Sequence, residues 1–167
     1  MTNTATDGVR FFVAGLAKPG GSKKGFYIEK IKRVVITDAS GKKGREWRAD
    51  VKATAYEAMQ GRSPFARDVP LFLGILFVMP RPGSQLRANG EVKDWALLWP
   101  VTKPDATKLI RSAEDAMTGI VWVDDAQVVL QLVGKRYGSR IGAEVSIRPM
   151  TMEEWYRLAG TLLETSP

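Results

Sequence analysis

The chain has no cysteine and no histidine among its 167 residues. Without cysteine there is no disulfide, no thiolate nucleophile and no cysteine-bound zinc. Without histidine there is no Ser-His-Asp triad, no imidazole metal ligand and no imidazole proton relay. Acid–base or metal chemistry must fall to carboxylates, lysines, tyrosines and bound water. Long hydrophobic runs are missing as well. The longest, Val69 to Met79, is interrupted by Pro70 and Gly74. It falls short of the roughly 18 apolar residues that a membrane span needs. The opening MTNTATDGVR carries no apolar run of signal-peptide length. These absences predict a soluble, cytoplasmic protein with no membrane partner. There is also no internal repeat and no low-complexity tract.

What is present suits one domain. The length fits a single compact unit, and the 44% of apolar residues suffice for a core. The expected organisation is a flexible tail over 1–8 and one domain over 9–165. Net charge is +7, unevenly spread. Residues 1–67 hold 14 Lys/Arg against 6 Asp/Glu, whereas residues 68–167 hold 11 against 12. A basic half beside a near-neutral half suits a polyanion. It equally suits a surface that only keeps the protein soluble.

Along the chain, Val9 to Leu16 reads as a strand. The glycine-rich stretch Lys18 to Gly25 reads as a loop. Its glycines would let backbone approach a phosphate that Lys18, Lys23 and Lys24 neutralise. A mobile solvated loop is the alternative. It is not a nucleotide-binding P-loop, because the Gly-Lys-Ser/Thr ending is missing. Strands follow at Phe26–Ile31 and Arg33–Thr37, then a second basic turn, Asp38 to Gly44, with Lys42 and Lys43. Trp47, Val51, Ala55 and Ala58 recur at helical spacing within Glu46–Met59. Val69 to Met79 is apolar on both alternating faces, as a central strand should be. Residues 83–98 form a long connection of the kind that is often functional or mobile. A helix over Asp105–Met117 would bury Leu109, Ile110, Ala113, Ala116 and Met117. Strands are predicted at Val128–Val133 and Ala143–Ile147, joined by a basic turn from Lys135 to Arg140. A terminal helix starts at Thr151, with a capping box to Glu154. The fold class is α+β: a mixed sheet packed with two or three helices in two layers.

Five carboxylates fall between Asp105 and Asp125: Asp105, Glu114, Asp115, Asp124 and Asp125. Adjacent aspartates repel unless a cation sits between them. Magnesium accepts a few carboxylates plus water, which suits a chain without His or Cys. Against this, Asp-Asp pairs are common in turns, and Asp105 could simply cap a helix. Ten residues of regular helix separate Asp105 from Asp115 by roughly 15 Å, so those two cannot share an ion. Asp105 could meet Asp124 and Asp125 if the following strand returns beside it. Glu114 and Asp115 then fall outside the site.

These residues resemble the RusA-like Holliday junction resolvases, the crossover-junction endodeoxyribonucleases of bacteria and their phages. The family pattern is Lys/Arg-x-Asp-x-Asp-Asn-Leu-x-Lys, then Asp-Ala-Leu, then Asp-Asp-x-Gln-Val. Here it reads Lys103-Pro104-Asp105-Ala106-Thr107-Lys108-Leu109-Ile110-Arg111, then Asp115-Ala116-Met117, then Asp124-Asp125-Ala126-Gln127-Val128. The close match runs from Lys103 to Val129. The resemblance implies a homodimer that binds a four-way DNA junction in recombination and repair, inside a bacterial cell or phage-infected host. It implies magnesium, or manganese, held by Asp105, Asp124 and Asp125. Arg111 stands where the family has a lysine near the scissile phosphate. Arginine can stabilise charge there but cannot give up a proton. Thr107 stands at the family's second acidic position, and the loss of that charge should weaken magnesium binding. Lys18, Lys23, Lys24, Lys42, Lys43, Lys103 and Lys108 are the expected DNA contacts. The alternative is a structure-selective branched-DNA-binding protein with weak or lost cleavage.

Overall fold

The computed structural model describes residues 8–20, 23–38 and 41–163. The expected tail over 1–8 lies outside them except for Gly8, as do Gly21, Ser22, Ala39 and Ser40. The chain runs β1 (Val9–Ala14), β2 (Lys23–Ile28), β3 (Arg33–Asp38), α1 (Gly41–Met59), β4 (Leu71–Met79), α2 (Ala106–Met117), β5 (Val128–Tyr137), β6 (Gly142–Pro149) and α3 (Met152–Leu163). Four strands form a sheet in the order β1-β6-β4-β5, and β2 and β3 pair as a separate hairpin. β6 is antiparallel to both β1 and β4, while β4 and β5 are parallel. The α+β class with a mixed sheet is therefore as expected.

Alternation along β4 sets the core. Leu71, Leu73, Ile75 and Phe77 are fully buried beneath the helices. Each stabilises the fold by roughly 1.5–3 kcal/mol relative to exposure. They meet Val9 and Val13 of β1, Val145 and Ile147 of β6, Trp47, Val51 and Ala55 of α1, and Leu109, Ala113 and Met117 of α2. The opposite face of β4, expected to be buried too, is only partly covered. Phe72, Gly74 and Leu76 are half-buried, because α1 and α2 both pack on one side of the sheet. Arginines shield part of the open face: Arg148 lies 4.7 Å from the Phe72 ring centre and Arg140 lies 3.8 Å from that of Phe12.

Several boundaries differ from the sequence reading. α1 starts five residues early, so Lys42 and Lys43 belong to its first turn. Lysine is a good helix former, and Lys42 pairs with Glu46 one turn on at 3.7 Å. Lys23 and Lys24 lie on β2 rather than in a loop, and Glu29–Ile31 forms a tight turn at the hairpin tip. β5 runs on through Lys135 and Arg136, because it pairs with β4 as far as Met79↔Tyr137. Ahead of α3, the Glu154 amide donates to Thr151 Oγ1 at 3.2 Å. The Glu154 carboxylate does not complete the box; it pairs with Arg148.

Parallel strands need a crossover, and α2 supplies it between β4 and β5. α2 runs back along the sheet, so β5 begins near its C-terminal end and finishes near its start. That arrangement fixes the site. Among the described residues no helix is long and apolar enough to cross a membrane.

Candidate active site

The start of α2 gathers three segments. Asp105 is the N-cap residue, with extended backbone (φ −71°, ψ 139°). Its carbonyl accepts from the Lys108 and Leu109 amides at 3.1 Å. An N-cap aspartate ordinarily spends its side chain on the free amides of the first turn. Here the carboxylate makes no such bond. It is half-exposed and pairs with Lys108 Nζ at 3.2 Å. From β5, Lys135 Nζ donates to the carbonyls of Thr102 and Pro104 at 3.0 and 2.9 Å. From the N-terminal loop, the Gly20 amide donates to the Lys108 carbonyl at 2.9 Å. The basic loop is thereby pinned to the first turn of α2. Between them opens a cleft of about 320 Å³, lined by Lys18, Pro19, Met79, Lys103, Asp105 and Lys108 among others. One carboxylate free of capping bonds stands among three lysines.

The other end of α2 has a different character. Glu114 is half-buried, and its carboxylate accepts from Gln131 Nε2 of β5 at 2.5 Å. Burial pushes its carboxyl above the ordinary range, and the nearby charges of Asp125 and Asp115 push it further. Glu114, set aside in the sequence reading, thus lies near enough to Asp125 to feel its charge. Asp115 is exposed and contributes only its charge.

Asp124 and Asp125 sit in a tight turn before β5, and their roles separate. The Asp124 carboxylate accepts from the Ala126 amide at 3.0 Å and pairs with Arg67 at 3.2 Å. The Ala126 bond, then a hydrogen bond shared with Asp125, then Arg67 hold its carboxyl below the ordinary range. Asp124 is a capping residue, reciprocated by Gln127, whose Oε1 accepts from the Val123 and Asp124 amides at 2.9 and 3.0 Å. Asp125 is exposed and lies outside that cap.

The three carboxylates expected to share one ion are therefore not brought together within a chain. The strand does return beside Asp105, but its far end, Lys135, arrives there. Asp125 precedes the start of that strand, ten residues before Lys135. Among the described residues no three acidic side chains converge on a metal-sized volume. Between the ends, Thr107, Arg111 and Glu114 recur at helical spacing, with Thr107 and Arg111 exposed.

Of the expected DNA contacts, Lys18, Lys103 and Lys108 line the cleft. Lys42 and Lys43 are exposed on the first turn of α1. Lys23 and Lys24 lie on β2, with side chains outside the described set. Lys135, Gln131 and Gln127 went unrecognised. Their partners lie 31, 17 and up to 62 residues away in sequence, beyond any local pattern.

A family model described as "Endodeoxyribonuclease RusA" matches residues 19–148 of the chain. The uncharacterized protein YqaN of Bacillus subtilis (strain 168) is 34% identical over 73 residues, 44% of this chain and 51% of that protein. The match thus spans about half the length of that curated relative.

Proposed function

The chain belongs to the RusA endodeoxyribonuclease family, and from that premise we propose that it hydrolyses DNA phosphodiesters at branch points, four-way junctions foremost, in a magnesium-dependent reaction. The observation that carries this reading is the cleft at the start of α2. Lys18, Lys103 and Lys108 would neutralise a phosphate there. Asp105, free of capping bonds, offers oxygen to a hard cation. The donor set fits magnesium or manganese. All the candidate ligands are oxygens, and magnesium commonly takes one or two carboxylates with water and phosphate oxygens. When bound, the ion supplies a more acidic water and a polarised phosphate. Arg111 would stabilise charge on the phosphate without moving a proton.

A homodimer would carry two such sites on one junction. Two active sites would also make the paired cuts that resolve a four-way junction. Asp124 belongs to this centre as the residue that shapes the turn carrying Asp125.

The test is cleavage of labelled four-way, three-way and linear duplex substrates, with magnesium and with a chelator, beside light scattering for mass. Magnesium-dependent, symmetric nicking of the four-way substrate by a dimer is expected. A strict monomer, or equal cutting of linear duplex, would refute junction resolution. Thr107 favours a second reading, a branched-DNA-binding protein with weak or lost cleavage. Tight junction binding with no product under either metal would support it.

A further inference from the structure

Six of the chain's seven net positive charges fall in one short segment. Lys18 to Lys43 holds eight Lys/Arg against two Asp/Glu. Its middle is the β2–β3 hairpin, paired from Lys23↔Asp38 to Ile28↔Arg33 and joined to no other described strand. Every residue from Gly25 to Val34 is exposed, Phe26 and Tyr27 included. Among the described residues no carboxylate pairs with Lys30, Lys32 or Arg33 at the tip. A two-stranded ribbon whose described side chains are all exposed is marginal by itself. Its stability and its purpose both point to a ligand.

Charge decides which ligand. A second copy would bring the same concentrated cations, whereas DNA brings a row of phosphates. The major groove, about 12 Å wide, admits a two-stranded β-ribbon. Six residues of strand extend roughly 20 Å, a little over half of a duplex turn of about 34 Å. The root of the ribbon is held near the cleft. Gly20 is bonded to Lys108, and the three peptide links from Gly20 to Lys23 reach at most about 11 Å.

We propose that the β2–β3 ribbon is a DNA arm. It enters the major groove of the duplex arm adjoining the phosphate bound beside Asp105. Lys30, Lys32 and Arg33 contact phosphates, and Phe26 and Tyr27 lie against sugars and base edges. The assignment rests on the branched-DNA reading and adds to it a second, separate contact with the substrate.

The test compares the wild-type protein with the triple variant Lys30→Gln, Lys32→Gln, Arg33→Gln, binding a labelled four-way junction in chelator. These side chains are exposed, so circular dichroism and mass should be unchanged. Between about 50 and 200 mM salt, losing three phosphate contacts should flatten the slope of log affinity against log salt by up to about 2.7. The matching loss of affinity near 0.1 M salt is on the order of 100-fold. Hairpin-capped junctions with arms cut to about five base pairs, half a duplex turn, should cost the wild type a similar loss and the variant little. A variant with wild-type affinity and slope overturns the proposal while leaving junction binding intact. So does a dimer that falls to monomer on Phe26→Ser with Ile28→Ser, which would make the ribbon a subunit contact. If the wild type itself binds no junction, the branched-DNA reading fails and the ribbon's role falls with it.

Discussion

Gln127 is the residue whose loss should do most damage for its size. It is 5% exposed, in the turn that carries Asp124 and Asp125. Its Oε1 accepts from the Val123 and Asp124 amides, and its Nε2 donates to the Ala66 carbonyl at 2.7 Å. Gln127→Leu keeps the volume and removes these three bonds, along with the longer Nε2 contacts to the Phe65 and Val69 carbonyls. At about 1 kcal/mol for each group left unpaired, the loss is about 3 kcal/mol. Partial exposure of Val123 and Asp124 keeps the figure from going higher. Gln127→Glu retains the acceptor but sets a carboxylate against the Ala66 carbonyl, so at neutral pH it should lose at least as much. Urea unfolding followed by tryptophan fluorescence reads both variants, with an unchanged slope on denaturant. Cleavage should fall further than the unfolded fraction explains, because the turn no longer presents Asp125. A loss below about 1 kcal/mol in Gln127→Leu would refute the claim that this amide holds the turn.

Two other perturbations test the two ends of α2. The raised carboxyl of Glu114 binds its proton more readily folded than unfolded, so its contribution favours folding at low pH and is lost as pH rises through the raised range. Glu114→Gln should match the wild type in acid and exceed it near neutrality by about 0.5 kcal/mol, a figure reduced for solvent screening; no gain in the neutral range would contradict this. Asp124 has the opposite sign: its lowered carboxyl stabilises the fold at neutral pH and loses that effect as pH falls below the ordinary carboxylate range. Lys135→Met removes two charged hydrogen bonds behind Asp105 and should cost about 2 kcal/mol of stability in urea. It should also lower cleavage at least tenfold in protein that remains folded.

Much of the architecture could be read before the structure, and the reasons are local. The stripe Leu109, Ile110, Ala113, Ala116 and Met117 repeats at helical spacing and is buried throughout. β4 stood out because nine apolar-rich residues lie between prolines. What stayed hidden depends on distant pairing. An Asp-Asp pair looks the same in sequence whether it caps a turn or binds a cation. Arg67 lies 57 residues from Asp124, and only the fold brings them together. Glu114 was set aside because helical rise carried it away from Asp105. The direction of β5 was not visible, so the Glu114–Gln131 contact was missed. The same direction puts Lys135, rather than Asp125, beside Asp105.

The most direct measurement is magnesium-dependent nicking of a labelled four-way junction by Asp105→Asn and Asp125→Asn, with junction affinity measured in parallel. Both positions are exposed, and asparagine keeps their size, so folding should be unaffected. The expected result is loss of cleavage in both variants and junction binding within a few-fold of wild type. Retained cleavage in both variants would contradict the assignment of Asp105 and Asp125 to the catalytic centre.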